Sequence, residues 1–371
     1  MALTKITGAV IKDSTIAAAD MSATGTANSS NTLHGSNAWA TVATSGVINI
    51  AAADPGTGQT AGNTWYLTGA INVVTPANSG LGVWTTVDPI NETLVKVAGA
   101  GTRNAGLKMG GMTGWDEGTQ SNKTEEYDGT AWAAGGNLNT GRSASTRAGT
   151  QTAAMMAGGA TYGGSSGSYS LNTTEEYNGT AWTNVNNLST GTESVQGDGT
   201  QTAAWVCGGY QHPNNNTTNS QEYNGTNWSA GGTLSTGRQY SHGCGLLTAG
   251  LIVGGHSSYS ATTEEYDGSS WSAGANVHTA LWASAVFGIQ TAAVSASGQR
   301  TSPSARLYET QEYNGTAWST SGNVILPRMF MGNSGSQASG MMFGGETTAS
   351  GSTGCPHVEE YDVAVAQFIN V

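Results

Sequence analysis

The sequence predicts an all-β fold built from six copies of one four-stranded unit, and three observations support this prediction. First, a Glu-Tyr pair occurs six times, at intervals of 43 to 50 residues. Second, five of these tyrosines are followed five residues later by a tryptophan. Third, each tyrosine has an apolar run upstream that ends in two small residues, as in AAMMAGG at 153–159. A period of this length indicates one supersecondary unit used as a repeat.

The repeated aromatic residues define the register of the units. The tyrosines are Tyr127, Tyr177, Tyr223, Tyr266, Tyr313 and Tyr361. The tryptophans are Trp132, Trp182, Trp228, Trp271 and Trp318, and Trp84 precedes the first complete unit. Between Tyr and Trp stands Asp-Gly or Asn-Gly, which accepts positive φ at both central turn positions and predicts tight antiparallel hairpins. Strand, strand, hairpin and strand at this period describe one propeller blade.

The two ends of the repeat region predict how a ring of blades closes. Each repeat tryptophan lies 17 residues before a glycine of the next hairpin, and Trp84 to Gly101 has the same interval. Residues 80–87 therefore form an outer strand without partners before it, while 359–362 form a third strand with no tryptophan after it. We predict that these two strands pair in a sixth blade, which would hide two sheet edges. The alternative is that 363–371 turns back and supplies the outer strand.

Gly-Gly after an apolar strand, followed by a spaced Tyr and a spaced Trp, resembles the kelch repeat over about residues 84–363. The resemblance implies a six-bladed kelch-like β-propeller, a fold that mostly serves as a binding platform. The galactose-oxidase branch of that family carries copper on Tyr and His ligands, and this sequence has no matching cluster. We therefore expect no cofactor and no metal. No nucleophile elbow, phosphate loop or zinc-protease motif points to catalysis.

Composition and charge limit the classes of partner. The 371 residues include 55 glycines and only 10% charged residues, and the net charge is −12. Nucleic-acid binding needs a basic surface, so this class is not expected. We expect neither a membrane span nor a secretory signal. The cysteines Cys207, Cys244 and Cys355 are odd in number and scattered, which argues against a disulfide framework.

Residues 1–76 do not follow the repeat, and they predict a small β-rich or extended attachment segment ahead of a propeller at 77–371. Their opening, MALTKITGAVIKDSTI, is similar to the start of many tail-fibre proteins of marine bacteriophages. Repeats reading T-E-E-Y-D/N-G-T-x-W are familiar from the same proteins. The resemblance implies a virion protein, made without a signal peptide, that binds other virion proteins through residues 1–76. Because small side chains bury little apolar area, we expect this segment to order on a partner or in a homo-oligomer, with a trimer as the expected state.

The loops between Gly-Gly and Glu-Tyr vary in length, and they share one face of the predicted propeller. Variable loops on a rigid scaffold carry recognition, and exposed aromatic rings can stack on sugars. The candidate ligand-binding residues are Tyr162, Tyr169, Tyr210, His212, His256, Tyr259, Arg300 and Tyr308. The alternative is that these loops, rich in Gly and Ser, are solvated and bind nothing.

The glutamate before each repeat tyrosine is expected to be structural, because a catalytic residue need occur only once. We expect it to bond neighbouring backbone or an arginine such as Arg142, Arg238 or Arg328.

These features predict a non-enzymatic structural protein of a tailed-phage virion, located in the tail or on the outer surface of the particle. The expected role is that of a tail fibre or tail-associated adhesin whose propeller face recognises a host-surface glycan or protein. One alternative is a structural platform, such as a tail nozzle or a head decoration, that binds no receptor. A second alternative is a carbohydrate-active enzyme of the propeller type.

Overall fold

The computed structural model describes residues 81–114, 118–162, 168–212, 215–256, 260–301, 304–347 and 354–363, together with four short strands outside this range. By contacts the chain divides into two units, Leu81–Val363 and Met1–Gly80 with Ala364–Val371. In the latter unit Asn31–Leu33 pairs with Trp39–Thr41, and Asn72–Val74 pairs with Phe368–Asn370. None of the described residues forms a helix, so no long apolar helix among them could cross a membrane.

Leu81–Val363 forms a six-bladed β-propeller, which confirms the predicted fold class. Each blade is a four-stranded antiparallel sheet. The strands, from the axis outward, are Ala98–Thr102, Ala105–Met109, Thr124–Tyr127 and Trp132–Ala134 in blade 1 and Thr146–Thr150, Ala153–Ala157, Thr174–Tyr177 and Trp182–Val185 in blade 2. Blade 3 has Gln196–Thr200, Ala203–Cys207, Ser220–Tyr223 and Trp228–Ala230, and blade 4 has His242–Leu246, Ala249–Val253, Thr263–Tyr266 and Trp271–Ala273. Blade 5 has Ala285–Ile289, Ala292–Ala296, Thr310–Tyr313 and Trp318–Thr320, and blade 6 has Gly332–Ser336, Ser339–Phe343, Val358–Val363 and Gly82–Val87.

The connections define two faces of the ring. The loops between second and third strands and the links between blades lie at one end, here called the loop face. The hairpins within each blade lie at the other end, here called the turn face. Three of the loops form two-stranded ribbons, which are Ala160–Tyr162 with Ser168–Ser170, Tyr210–Gln211 with Asn215–Asn216, and Gln299–Thr301 with Ser304–Arg306.

Blade 6 joins the two ends of the ring. Its outer strand Gly82–Val87 pairs antiparallel with Val358–Val363, and Trp84 lies opposite Tyr361. This confirms closure by an N-terminal strand. Trp84 is buried, and its Nε1 donates to Thr310 Oγ1 of blade 5 at 3.0 Å. The first strands contact one another around the whole ring, including blade 6 with blade 1.

A closed ring of tyrosine–glutamate hydrogen bonds joins neighbouring blades. Each repeat tyrosine hydroxyl donates to the glutamate that precedes the tyrosine of the previous blade. The pairs are Tyr127–Glu360 (3.0 Å), Tyr177–Glu126 (2.5 Å), Tyr223–Glu176 (2.8 Å), Tyr313–Glu265 (2.5 Å), Tyr266–Glu222 and Tyr361–Glu312. Burial and the adjacent carboxylate raise the pKa of Tyr266 and Tyr313 to about 12, so these hydroxyls remain donors at neutral pH.

The arginines predicted to bind the glutamate next to the tyrosine bind the residue before it, so that prediction is wrong. The three ion pairs are Arg142–Glu175, Arg238–Glu264 and Arg328–Glu359, and all six side chains are buried. Successive side chains of a strand point to opposite faces, so the two adjacent positions cannot share a partner.

The glutamates that pair with these arginines also make a hydrogen bond that does not depend on charge. A side-chain oxygen of each accepts the backbone N–H of the link from the previous blade, as from Asn139 to Glu175 at 2.7 Å. In blades 3 and 5 glutamine takes this position, and Gln221 and Gln311 accept the same N–H at 2.9 Å. The arginine is then replaced by Thr192 or Leu281, so at this pair of positions buried charge is present only where it is paired.

The turns between third and fourth strands differ from the predicted type. In blade 1 only Gly129 of the turn has positive φ, at 94°, and Asp128 does not. The Oδ1 atom of Asp128 instead accepts the N–H groups of Thr130 at 2.8 Å and Ala131 at 2.9 Å. The prediction of positive φ at both central positions is therefore wrong. Asp or Asn is needed for its side-chain oxygen, which replaces a backbone acceptor.

Candidate binding site

Six equivalent residues in left-handed conformation surround the loop-face end of the central channel. Their φ values lie between 51° and 61°, and each lies two positions before the first strand of a blade. They are Lys96, Ala144, Ser194, Tyr240, Ala283 and Phe330, here called the mouth ring. Backbone hydrogen bonds join neighbours, as from Ser194 N to Ala144 O at 2.7 Å and from Ala283 N to Tyr240 O at 2.8 Å.

The mouth ring holds backbone conformations that side chains disfavour. A residue other than glycine pays about 1–2 kcal/mol in the left-handed region. Three of the six positions nevertheless carry the large side chains of Lys96, Tyr240 and Phe330. Because all six blades share this backbone, the mouth is distinguished by side chains that differ from blade to blade. The mouth ring is therefore the strongest candidate site that the geometry offers.

Aromatic side chains from three blades pack together at the mouth. The ring centroids of Tyr240 and Phe330 are 5.1 Å apart, those of Trp282 and Phe330 are 5.4 Å apart, and both pairs are edge-to-face. The imidazole of His256 lies 5.4 Å from Trp282. Tyr240, His256 and Trp282 are half-buried, whereas Phe330 is buried. These four residues are here called the aromatic rim.

Lys96 places a positive charge among these rings. Its Nζ lies 5.6 to 5.9 Å from the centroids of Tyr162, Tyr240 and Phe330, which is cation–π distance. The same Nζ donates to the Tyr162 hydroxyl at 3.3 Å. The rim therefore combines flat apolar surfaces with a cation.

Beneath the mouth ring the channel contains a cavity of about 30 Å³. Arg147 of blade 2 crosses the channel at this level. Its Nε donates to Gly99 O at 2.9 Å, and its Nη2 donates to Val286 O at 3.1 Å and to Asn333 Oδ1 at 2.6 Å. One guanidinium thus connects blade 2 with blades 1, 5 and 6.

Two further ionisable residues lie on the first strands, and both are altered by burial. Burial lowers the pKa of His242 to about 3, and the charge of Arg147 adds to this effect, so the imidazole is neutral at pH 7. Burial raises the pKa of Asp198 to about 6, although Arg147 opposes the shift. Asp198 Oδ2 accepts the Gly245 N–H at 3.1 Å. Across the described ranges, no three His, Cys, Asp or Glu side chains are grouped so that they could hold a metal ion.

The predicted loop residues lie in several places on the loop face. Tyr162 and His256 reach the mouth, through Lys96 and Trp282 respectively. Tyr210 and His212 pack together with ring centroids 4.8 Å apart, and His212 Nε2 lies 3.0 Å from Glu193 Oε1. The remaining residues are Tyr169 and Tyr308, which are exposed, Arg300, which lies in a ribbon strand, and Tyr259, which is outside the described residues.

Four residues of the mouth were missed by sequence reasoning, namely Lys96, Tyr240, Trp282 and Phe330. They lie in the links between blades, whereas the predicted binding residues lie in the variable loops. A signal was available, because five residues before each glycine of the first hairpin there is one position that holds Lys, Ala, Ser, Tyr, Ala and Phe in turn. Such irregularity within a regular repeat could have marked the site.

Comparison with known proteins supports the fold and goes no further. No protein-family model and no curated protein sequence matches the chain. Among solved structures it is similar to that of YjhT, with a TM-score of 0.60 and 14% identity over 72% of this chain and 95% of YjhT. The fold and the site together define a β-propeller with an asymmetric aromatic and cationic mouth.

Proposed function

We propose that this protein is a non-enzymatic virion protein of a tailed phage, a tail fibre or tail-associated adhesin whose loop face binds the host surface. One observation carries the proposal, namely the aromatic rim beside Lys96 on a rigid ring. Tyr and Trp on a preorganised surface are typical anchors of binding sites. The turn face carries the same short turn in blade after blade and offers no comparable surface among its described residues.

The virion part of the proposal is supported by two resemblances in the sequence. The repeats are similar to the kelch pattern, and the opening MALTKITGAVIKDSTI is similar to phage tail fibres. In this proposal residues 1–76 bind other virion proteins, and the protein forms a homo-oligomer, with a trimer as the expected state. The receptor is a glycan or a protein of the host surface.

Competition for phage adsorption tests the proposal. Purified protein at saturating concentration should block adsorption to host cells. Trp282→Ala should abolish blocking, whereas Tyr308→Ala should not, because Tyr308 is an exposed loop aromatic outside the rim. If the unaltered protein fails to block adsorption, the adhesin role is wrong and a platform role is favoured. Turnover of a host glycan that disappears on mutation of one loop carboxylate would instead indicate an enzyme.

A further inference from the structure

Three residues that line the cavity beneath the mouth ring carry a buried polar side-chain atom without a hydrogen-bond partner among the described residues. These atoms are Ser145 Oγ, Ser194 Oγ and His242 Nδ1. The Ser194 residue is only 2% exposed, so bulk water does not satisfy its hydroxyl. Buried polar groups in native proteins nearly always have a partner, which can be an ordered water or a ligand. The cavity is therefore built to hold something polar.

Arg147 gives this cavity a fixed positive charge. Its Nε and Nη2 atoms are held by Gly99, Val286 and Asn333, whereas no described residue accepts from Nη1. The side chain is 7% exposed and cannot swing out without losing three hydrogen bonds. Lys96 lines the entrance of the same cavity, and no carboxylate is found among its described lining residues. Asp198, the carboxylate whose charge interacts with Arg147, is not a lining residue, and the two cations outnumber it, so the electrostatics favour an anion.

The size of the cavity limits the anionic group. Its volume of about 30 Å³ exceeds the roughly 10–15 Å³ that one water needs, but it is too small for a sugar ring. The free Nη1 of Arg147 and the Ser194 hydroxyl are two donors, which matches the two oxygens of a carboxylate. Tyr240 and Phe330 belong both to the cavity lining and to the aromatic rim. A ligand whose carboxylate enters the cavity must therefore pack against these aromatic rings.

We propose that the cavity binds the carboxylate of an acidic saccharide whose ring lies on the aromatic rim. This inference rests on the proposed function, because it names the class of glycan that the loop face takes. Arg147 and Ser194 hold the carboxylate, and Tyr240 with Trp282 contacts the apolar face of the sugar. A neutral sugar would leave the Arg147 charge and the orphan polar atoms unsatisfied.

Calorimetric titration of the full-length protein tests this inference with three probes. Glucuronate should bind at least tenfold more tightly than its uncharged methyl ester and than inorganic phosphate. Arg147→Gln should weaken glucuronate binding about 10- to 100-fold, because a charged hydrogen bond is lost. Ser194→Ala should weaken it about 2- to 10-fold, and it keeps the fold because Ala144 and Ala283 occupy the equivalent position. Lys123→Gln, which removes the charge of an exposed lysine, should change nothing.

Several results would overturn the inference. If the methyl ester binds as tightly as glucuronate, the cavity does not recognise the carboxylate. If phosphate binds as tightly, the cavity is only a general anion site. Unchanged affinity in Ser194→Ala, or no glucuronate binding at all, would also contradict it. Adsorption competition separates the two proposals. Glucuronate binding without any block of adsorption would support the cavity and refute the adhesin, whereas a block with no glucuronate binding would do the reverse.

Discussion

The blade interfaces and the mouth ring are both sixfold, but different things are repeated in them. At the interfaces the side chains recur, so that a tyrosine meets a glutamate six times around the ring. At the mouth only the backbone recurs, and the side chains range from Ala144 to Phe330. Selection for a stable ring acts equally on all blades, whereas a ligand contacts each blade differently. The repeated chemistry is therefore assigned to stability and the unrepeated chemistry to recognition.

The interface between blades 6 and 1 shows what happens where the repeat is interrupted. Trp132 packs against Val358, whereas the equivalent position in the other blades is a Ser or Thr whose hydroxyl accepts from the tryptophan. No described residue accepts a hydrogen bond from Trp132 Nε1. In four other blades a glutamine such as Gln151 bonds backbone oxygens of its neighbour. Here Arg103 takes that place and binds Glu360 at 3.2 Å and Asp362 at 2.5 Å. An ion pair thus replaces neutral bonds at the interface between blades 6 and 1.

The largest difference in stability between the two regions is expected when one tryptophan in each is replaced by alanine. Trp84→Ala should lower the free energy of unfolding by about 3–5 kcal/mol, because a fully buried indole and its bond to Thr310 are lost from the closing strand. Trp282→Ala, at the half-buried rim, should cost less than half as much. Urea unfolding followed by far-UV circular dichroism measures both. Equal losses would contradict the division between the regions.

Breaking one buried ion pair should have the next largest effect. Glu175→Gln leaves the Arg142 guanidinium buried without a counter-charge, and we expect a loss of about 3 kcal/mol. Adding Arg142→Thr should restore most of it, because blade 3 already combines Thr192 with Gln221. A double-mutant cycle in urea measures the coupling. If the double variant is as unstable as the single variant, blades 2 and 3 are not interchangeable in this respect.

The smallest effect is expected at Asp198, and it should depend on pH. The pKa of this carboxyl is raised in the folded state to about 6, so its contribution to stability is fully present below pH 4 and is lost as the pH rises through 6. Asp198→Asn should therefore match the unaltered protein at pH 4 and exceed it by about 2 kcal/mol at pH 7. Thermal unfolding at both pH values measures this. Parallel profiles for the two proteins would show that Asp198 is not held in a costly charged state.

Blade number and ring closure could be predicted because both depend on residues that recur. The interval from Trp84 to Gly101 was enough to place Gly82–Val87 opposite Val358–Val363. The partner of Arg142 was not predictable, because adjacent glutamates in the sequence differ only in which face of the strand they occupy. The turn type was missed because Asp-Gly also suits a turn with positive φ at both central positions. In the structure Asp128 instead acts through its side-chain oxygen.

The mouth could not be predicted from the variable loops alone. Tyr162 and His256 were recognised as candidates, but their neighbours Lys96 and Trp282 come from links that are distant in sequence. The ring imposes the left-handed backbone of these links. None of the six positions is a glycine, so the sequence does not indicate this conformation. Only the geometry of six converging strands brings Arg147 across the channel to blades 1, 5 and 6.

The pairing of Gly82–Val87 with Val358–Val363 has a consequence for biosynthesis. The closing strand leaves the ribosome before any other part of the ring, but its partner is translated last. Blades 1 to 5 can stack during elongation, whereas Trp84 has no partner strand until Val358–Val363 has been translated. A prematurely terminated chain would present two unpaired edges and never mature. Closure therefore requires that translation has passed Val363, and a partner that recognises only the closed ring would exclude shorter chains from assembly.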